Sequence, residues 1–132
     1  MHPVSSLSIG SRGWIQELTF LLSGLLLLAL AFGMYRNFVP RGLSKWSAIY
    51  IAASALGLIG AGFFDTDPMN GYPIGTVAVP TEFTIAGRMH RLFSALFFFG
   101  IPLAAFASAK WFASKGESTW ASYSRVTAWG FL

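Results

Sequence analysis

The sequence predicts an all-α membrane protein: a transmembrane helical bundle with three complete spans, the start of a fourth, and a long outer loop between spans 2 and 3. Three observations predict it. Only 11% of the 132 residues are charged and 55% are hydrophobic, against roughly 25% charged in soluble proteins. Three long stretches carry no charge at all: Leu18 to Tyr35, Trp46 to Phe64 and Leu92 to Ala109. Each approaches the roughly 20 residues needed to cross about 30 Å of hydrocarbon. Finally, aromatic and basic residues gather at the ends of these stretches, where a helix meets the headgroups: Arg12 and Trp14, Arg36, Lys45 and Trp46, Arg91, and Lys110 and Trp111.

Taken in order, the first span is expected over about 15–35. Arg12, the apolar stretch Leu18 to Leu28 and Ala29-Leu30-Ala31 also fit a cleaved secretory signal. Against that, Arg36, Arg41 and Lys45 follow immediately and would resist translocation. The second span, about 46–64, repeats small residues every fourth position at Ala53, Gly57 and Ala61, a face that lets a neighbouring helix backbone approach closely. The third, about 91–112, contains Pro102, which kinks a helix or leaves a carbonyl available to a water or a neighbouring hydroxyl. The fourth is expected over 120–132 and incomplete. Even a helix from Ser118 onward reaches only about 22 Å, so the chain reads as a single transmembrane domain over 1–132, a fragment of a larger bundle.

The charges predict how the bundle is set in the membrane. The first connection carries Arg36, Arg41 and Lys45 and no acid, and the third carries Lys110, Lys115 and Arg125 against Glu117, whereas the second holds Asp65, Asp67 and Glu82 beside Arg88 and Arg91. The positive-inside rule then puts the N-terminus and the 65–91 loop outside the cytoplasm, in a multi-pass protein of the cell membrane. Although the net charge is +4, the cations form no basic stripe, so nucleic acid is not an expected partner. The expected partners are the lipid bilayer, the missing helices of the full-length chain, and a second copy in a homo-oligomer. The absence of cysteine excludes disulfides, thiolate-held zinc, iron–sulfur clusters and thiol catalysis.

Chemistry, if the chain performs any, concentrates in the outer loop, which is long for a connector. Pro68, Pro73, Pro80, Gly71 and Gly75 break up regular helix, and Thr76 to Val79 suit an extended run. The loop is expected to fold back over the helix ends as a cap. Asp65 and Asp67 follow the second span directly and His90 opens the third, so a helical hairpin brings all three to one surface. Two readings stand. In one, Asp65, Asp67 and His90 are a divalent-cation or proton-handling set, with His90 and Asp67 the candidate catalytic pair. In the other, Asp65-Thr66-Asp67-Pro68 is a turn whose carboxylates cap backbone amides, and His90 hydrogen-bonds one of them. No cofactor motif is present, and bis-histidine haem ligation finds only His2 as a second histidine.

Several short strings together resemble the domain-of-unknown-function 998 family: Gly13-Trp14-Ile15-Gln16, the run Gly57 to Phe64 followed by Asp65-Thr66-Asp67-Pro68, Gly71-Tyr72-Pro73, Gly87-Arg88-Met89-His90, and Trp120-Ala-Ser-Tyr123-Ser124. The resemblance runs from Arg12 to Leu132. It implies a prokaryotic multi-pass membrane protein of about six helices without assigned activity, with one span before Met1 and others after Leu132. It also implies that the family's marked polar positions fall on Asp65, Asp67 and His90. The chain departs from the pattern at Arg91, where an acid is expected after the Gly-x-x-His motif, and a cation beside His90 opposes a bound metal. The expected function is therefore a non-enzymatic helical membrane module. The alternatives are a transporter or proton- or cation-handling protein using Asp65, Asp67 and His90, and a membrane enzyme acting on lipid or quinone.

Overall fold

The computed structural model describes residues 4–76 and 80–132. Four α-helices account for most of them: α1 (Gly13–Asn37), α2 (Lys45–Phe63), α3 (Ile85–Ser114) and α4 (Ser118–Phe131). A short 3-10 helix, Val4–Ile9, precedes α1, and another, Val39–Arg41, carries the turn into α2. No strand forms among the described residues. The expected extended run loses Val77 to Val79, which lie outside the described residues, as does His2, and Thr76 has no regular structure.

Among the described residues three helices, α1 to α3, are long and apolar enough to cross a membrane. At about 1.5 Å per residue, the 25 residues of α1 and the 30 of α3 extend about 37 and 45 Å, beyond the hydrocarbon on at least one side. The α1–α2 turn is tight: Pro40 lies in the short 3-10 helix and Gly42, at φ +97°, closes it in the left-handed region. Ser44 then caps α2, its hydroxyl accepting from the Trp46 amide. α2 packs against both α1 and α3, and α4 folds back along α3.

The interior is made of small residues and the surface of large ones. Ala31, Ala48, Ala55, Ala61, Ala104, Ala109, Ala121 and Ala128 are buried, with Ser47 and Ser54 fully so, while Leu22, Leu25, Leu26, Phe32, Phe98 and Phe99 are exposed. A soluble protein reverses this order. In a bilayer it is expected, because hydrocarbon solvates Leu and Phe as well as a core does and close helix approach needs small side chains.

α2 shows that approach in detail. A Cβ on Gly57 would lie 2.6 Å from the Phe93 carbonyl oxygen and 2.7 Å from the Phe97 amide nitrogen, so α3 backbone rests directly on it. Gly60 admits the Phe93 ring, which stacks on Phe64 at 5.7 Å between centroids. On the opposite contact, Gly24 of α1 lies against the Ala55 carbonyl. Of the predicted small-residue face, Gly57 is at the α3 contact. Beside it, Ser54 and Gly60 also meet α3, at Gly100 and at the Phe93 ring. Pro102 is fully buried and α3 runs continuously through it. The carbonyl that Pro102 leaves without its helical donor is that of Phe98; the hydroxyl nearby, Ser54 Oγ, instead donates to the Tyr50 carbonyl at 2.9 Å and lies 3.4 Å from the Phe97 carbonyl.

α3 begins six residues before the expected boundary, at Ile85 rather than at 91. Thr84 is the reason. Its extended backbone and its hydroxyl, which accepts from the Gly87 amide at 3.0 Å, form an N-cap. Arg88, His90 and Arg91 are therefore helical, and the α2–α3 connection shortens to Phe64 through Thr84.

Candidate functional site

Asp67 and His90 meet at the junction of α2 and α3, each on a different partner. Asp67 follows the C-terminus of α2 and is buried, 5% exposed. Its Oδ1 accepts from the Thr84 hydroxyl at 2.6 Å and from the Thr84 amide at 3.3 Å. Thr84 thus links two functions, receiving the Gly87 amide while donating to Asp67, and the carboxylate sits at the positive end of the α3 dipole. Oδ2 is buried with no hydrogen-bond partner and lies against the α-carbon of Gly87, where an added Cβ would fall 1.9 Å away.

His90, one turn further into α3, is 4% exposed. Its Nδ1 lies 2.7 Å from the carbonyl oxygen of Phe64, the C-cap residue of α2. A carbonyl only accepts, so Nδ1 carries the proton and donates. The imidazole therefore ties the end of α2 to the start of α3, and Asp67 ties the loop to the same start. Asp65 is exposed. The expected bond between His90 and an aspartate is replaced by the bond to Phe64, and the amide capping falls to Asp67. Arg91 points elsewhere, its guanidinium 3.3 Å from the centroid of the Phe83 ring.

A metal-bound histidine also directs one ring nitrogen to a backbone carbonyl, so the neighbouring donors decide what the bond means. Among the described residues no group of three His, Asp or Glu side chains is placed to hold a metal ion. The loop closes over the bundle end through Tyr72, whose hydroxyl reaches Gly10 beside the N-terminal 3-10 helix. Asn70 and Gly71, both at positive φ, turn the chain there.

A family model described as a protein of unknown function, DUF998, matches residues 1–132, the whole sequence. The chain belongs to this family. No curated protein and no solved structure matches it.

Elsewhere this DUF998 chain presents a cleft of about 990 Å³ between α1, α2 and α3. Its walls are apolar, with Leu26, Leu58 and Phe97 among them, but Gln16, Thr19 and Ser23 of α1 and Ser94 of α3 also line it. Neither Asp65, Asp67 nor His90 does. The stripe on α1 is readable in the sequence, since positions 16, 19 and 23 share one helix face. Thr84 is readable too, as a Thr immediately before an apolar run with a small residue three positions on. Neither shows in a pattern of uncharged stretches.

Proposed function

We propose that this chain is a non-catalytic helical membrane module whose outer loop is a structural cap, fastened to the bundle by Asp67 and His90. One observation carries the reading: the two buried ionisable side chains at the loop end are each committed to a separate backbone or capping partner that joins α2 to α3. A transporter built on these residues needs a hydrated path from them into the bilayer, and the large cleft is lined by none of them. An enzyme needs His90 and an acid within hydrogen-bond reach of one another at an open pocket, whereas both are buried and bonded elsewhere.

The module lies in the cell membrane with the loop end outside the cytoplasm, which the excess of Lys and Arg at the opposite end supports. Its lateral partners are the bilayer and further transmembrane helices, for which the Gln16, Thr19 and Ser23 stripe provides hydrogen-bonding side chains on an otherwise apolar face.

Metal analysis of the purified full-length protein tests the reading. Wild type, His90→Ala and Asp67→Asn are expected to carry equal, substoichiometric metal, while His90→Ala unfolds at lower temperature because the Phe64 carbonyl loses its donor. Stoichiometric metal in the wild type that disappears in both variants would overturn the proposal.

A further inference from the structure

The end of the bundle opposite the outer loop carries an excess of positive charge set in aromatic side chains. Arg41 and Lys45 come from the α1–α2 turn and the start of α2, Lys110 from the end of α3 and Lys115 from its C-cap. Among the described residues none of the four has a carboxylate within ion-pair distance, and Glu117 shares a neighbouring cleft with Arg41 and Lys115, not the one that Lys110 lines. Lys45 lies over the Trp46 ring at 5.9 Å. The two elements are tied together by Trp111, whose indole Nε1 donates to the Arg41 carbonyl at 3.3 Å and whose ring meets Phe38 edge-on at 5.9 Å.

A cleft of about 420 Å³ opens on one side of Trp111, between α2 and α3. Gly42, Ser44, Trp46, Tyr50, Lys110 and Ser114 contribute to its lining. Its chemistry is specific in three respects. Lys110 supplies a cation, with Lys45 over the adjoining Trp46. Ser44 supplies a hydroxyl whose oxygen accepts from the Trp46 amide and whose proton is left for a ligand, while the Ser114 hydroxyl donates to the Trp111 carbonyl at 2.7 Å, and the flanking turn closes at Gly42, whose positive φ favours glycine and leaves that wall bare beside the Trp111 indole. The Trp46–Tyr50 stack, at 6.0 Å between centroids, sets the cleft at the depth where indole and phenol rings settle, between headgroups and hydrocarbon. Toward the bilayer, Ala107 and the exposed Leu103 continue the same face of α3 at four-residue spacing.

We infer that this cleft binds the headgroup of an anionic phospholipid, the phosphate held by Lys110 in the cleft and attracted by Lys45 beside it over Trp46, and the acyl chain running down α3 past Ala107 and Leu103. Charge complementarity selects an anion, and the aromatic level together with the apolar track selects one that is anchored in the membrane over a soluble phosphate. Basic pockets between transmembrane helices recognise anionic lipids on this principle. The inference is independent of the role given to Asp67 and His90, which lie at the other end.

Native mass spectrometry of the full-length protein in detergent, titrated with phosphatidylglycerol or phosphatidylcholine, tests it. Phosphatidylglycerol is expected to bind more tightly. Lys110→Gln is expected to weaken it about fivefold, and Lys110→Gln with Lys45→Gln about 25-fold. Arg88→Gln, which removes the same charge from the opposite end, leaves it unchanged, and phosphatidylcholine binding, unchanged throughout, reports that the variants are folded. The proposal fails if wild type binds the two lipids equally, if Arg88→Gln weakens phosphatidylglycerol as much as Lys110→Gln does, or if inorganic phosphate at the lipid's concentration displaces it. Should either lysine variant misfold, the lipid preference of the wild type and its loss in high salt still decide the matter.

Discussion

Asp67 has one oxygen fully engaged and the other buried without a partner, and the two oxygens predict different variant behaviour. Asp67→Ala removes the acceptor for both the Thr84 hydroxyl and amide and is expected to lower stability by about 1–3 kcal/mol, the usual penalty for a buried polar group left unpaired. Asp67→Asn retains an acceptor at Oδ1 and is expected to lose less. Thermal unfolding in detergent distinguishes them, and equal losses would show that the charge, rather than the Thr84 bond, holds the loop. Gly87 probes the other oxygen. Gly87→Ala places its Cβ 1.9 Å from Oδ2 and is expected to cost about 1–3 kcal/mol by overpacking. In an Asp67→Ala background the obstruction is gone, so the two losses should be clearly sub-additive; strict additivity in the double-mutant cycle would mean that Gly87 is sensitive for another reason.

At the scale of the helices, glycines with different surroundings should respond in opposite directions. Gly57 carries α3 backbone against it, so Gly57→Ala forces the α2–α3 contact apart and lowers the unfolding temperature. Gly33, inside α1, has no atom within 4 Å of the position an added methyl would take, and Gly33→Ala should raise stability by about 0.5–1 kcal/mol through helix propensity alone. A loss at both positions would indicate that α1 is packed more closely than its exposed face suggests. The start of α3 shows where hydropathy falls short as a guide to helix ends. Hydropathy marks the part of a helix that sits in hydrocarbon, and it places the boundary beside Arg91 because Arg88 and Arg91 interrupt the uncharged run. Thr84 and its cap extend the helix into the headgroup region, where charges are tolerated. Hydropathy alone thus makes His90 the opening of a helix at a loop surface, whereas it lies inside the second turn of α3 and faces Phe64. That Asp67 and His90 converge on the α2–α3 junction is legible from the short hairpin; that each takes a separate partner is not, because the capping role of Thr84 and the carbonyl at the end of α2 have no signature in hydropathy.

For the whole molecule, the arrangement of alanine, glycine and serine inside with leucine and phenylalanine outside is legible from composition, since so few charges cannot cover a water-facing surface of this size. The direction of insertion rests on the distribution of Lys and Arg, and the natural absence of cysteine makes it directly measurable. Ile74, 99% exposed at the tip of the outer loop, and Lys115, exposed at the end of α3, each accept a single cysteine without disturbing a packed contact. Ile74→Cys should react with a membrane-impermeant maleimide in intact cells, and Lys115→Cys only after the membrane is opened. These two positions lie at opposite ends of a helix about 45 Å long, so a bundle that spans the bilayer must place them on opposite sides. Labelling of both from outside would remove the spanning arrangement itself, whereas a clean reversal would leave the bundle intact and show that the loop end faces the cytoplasm.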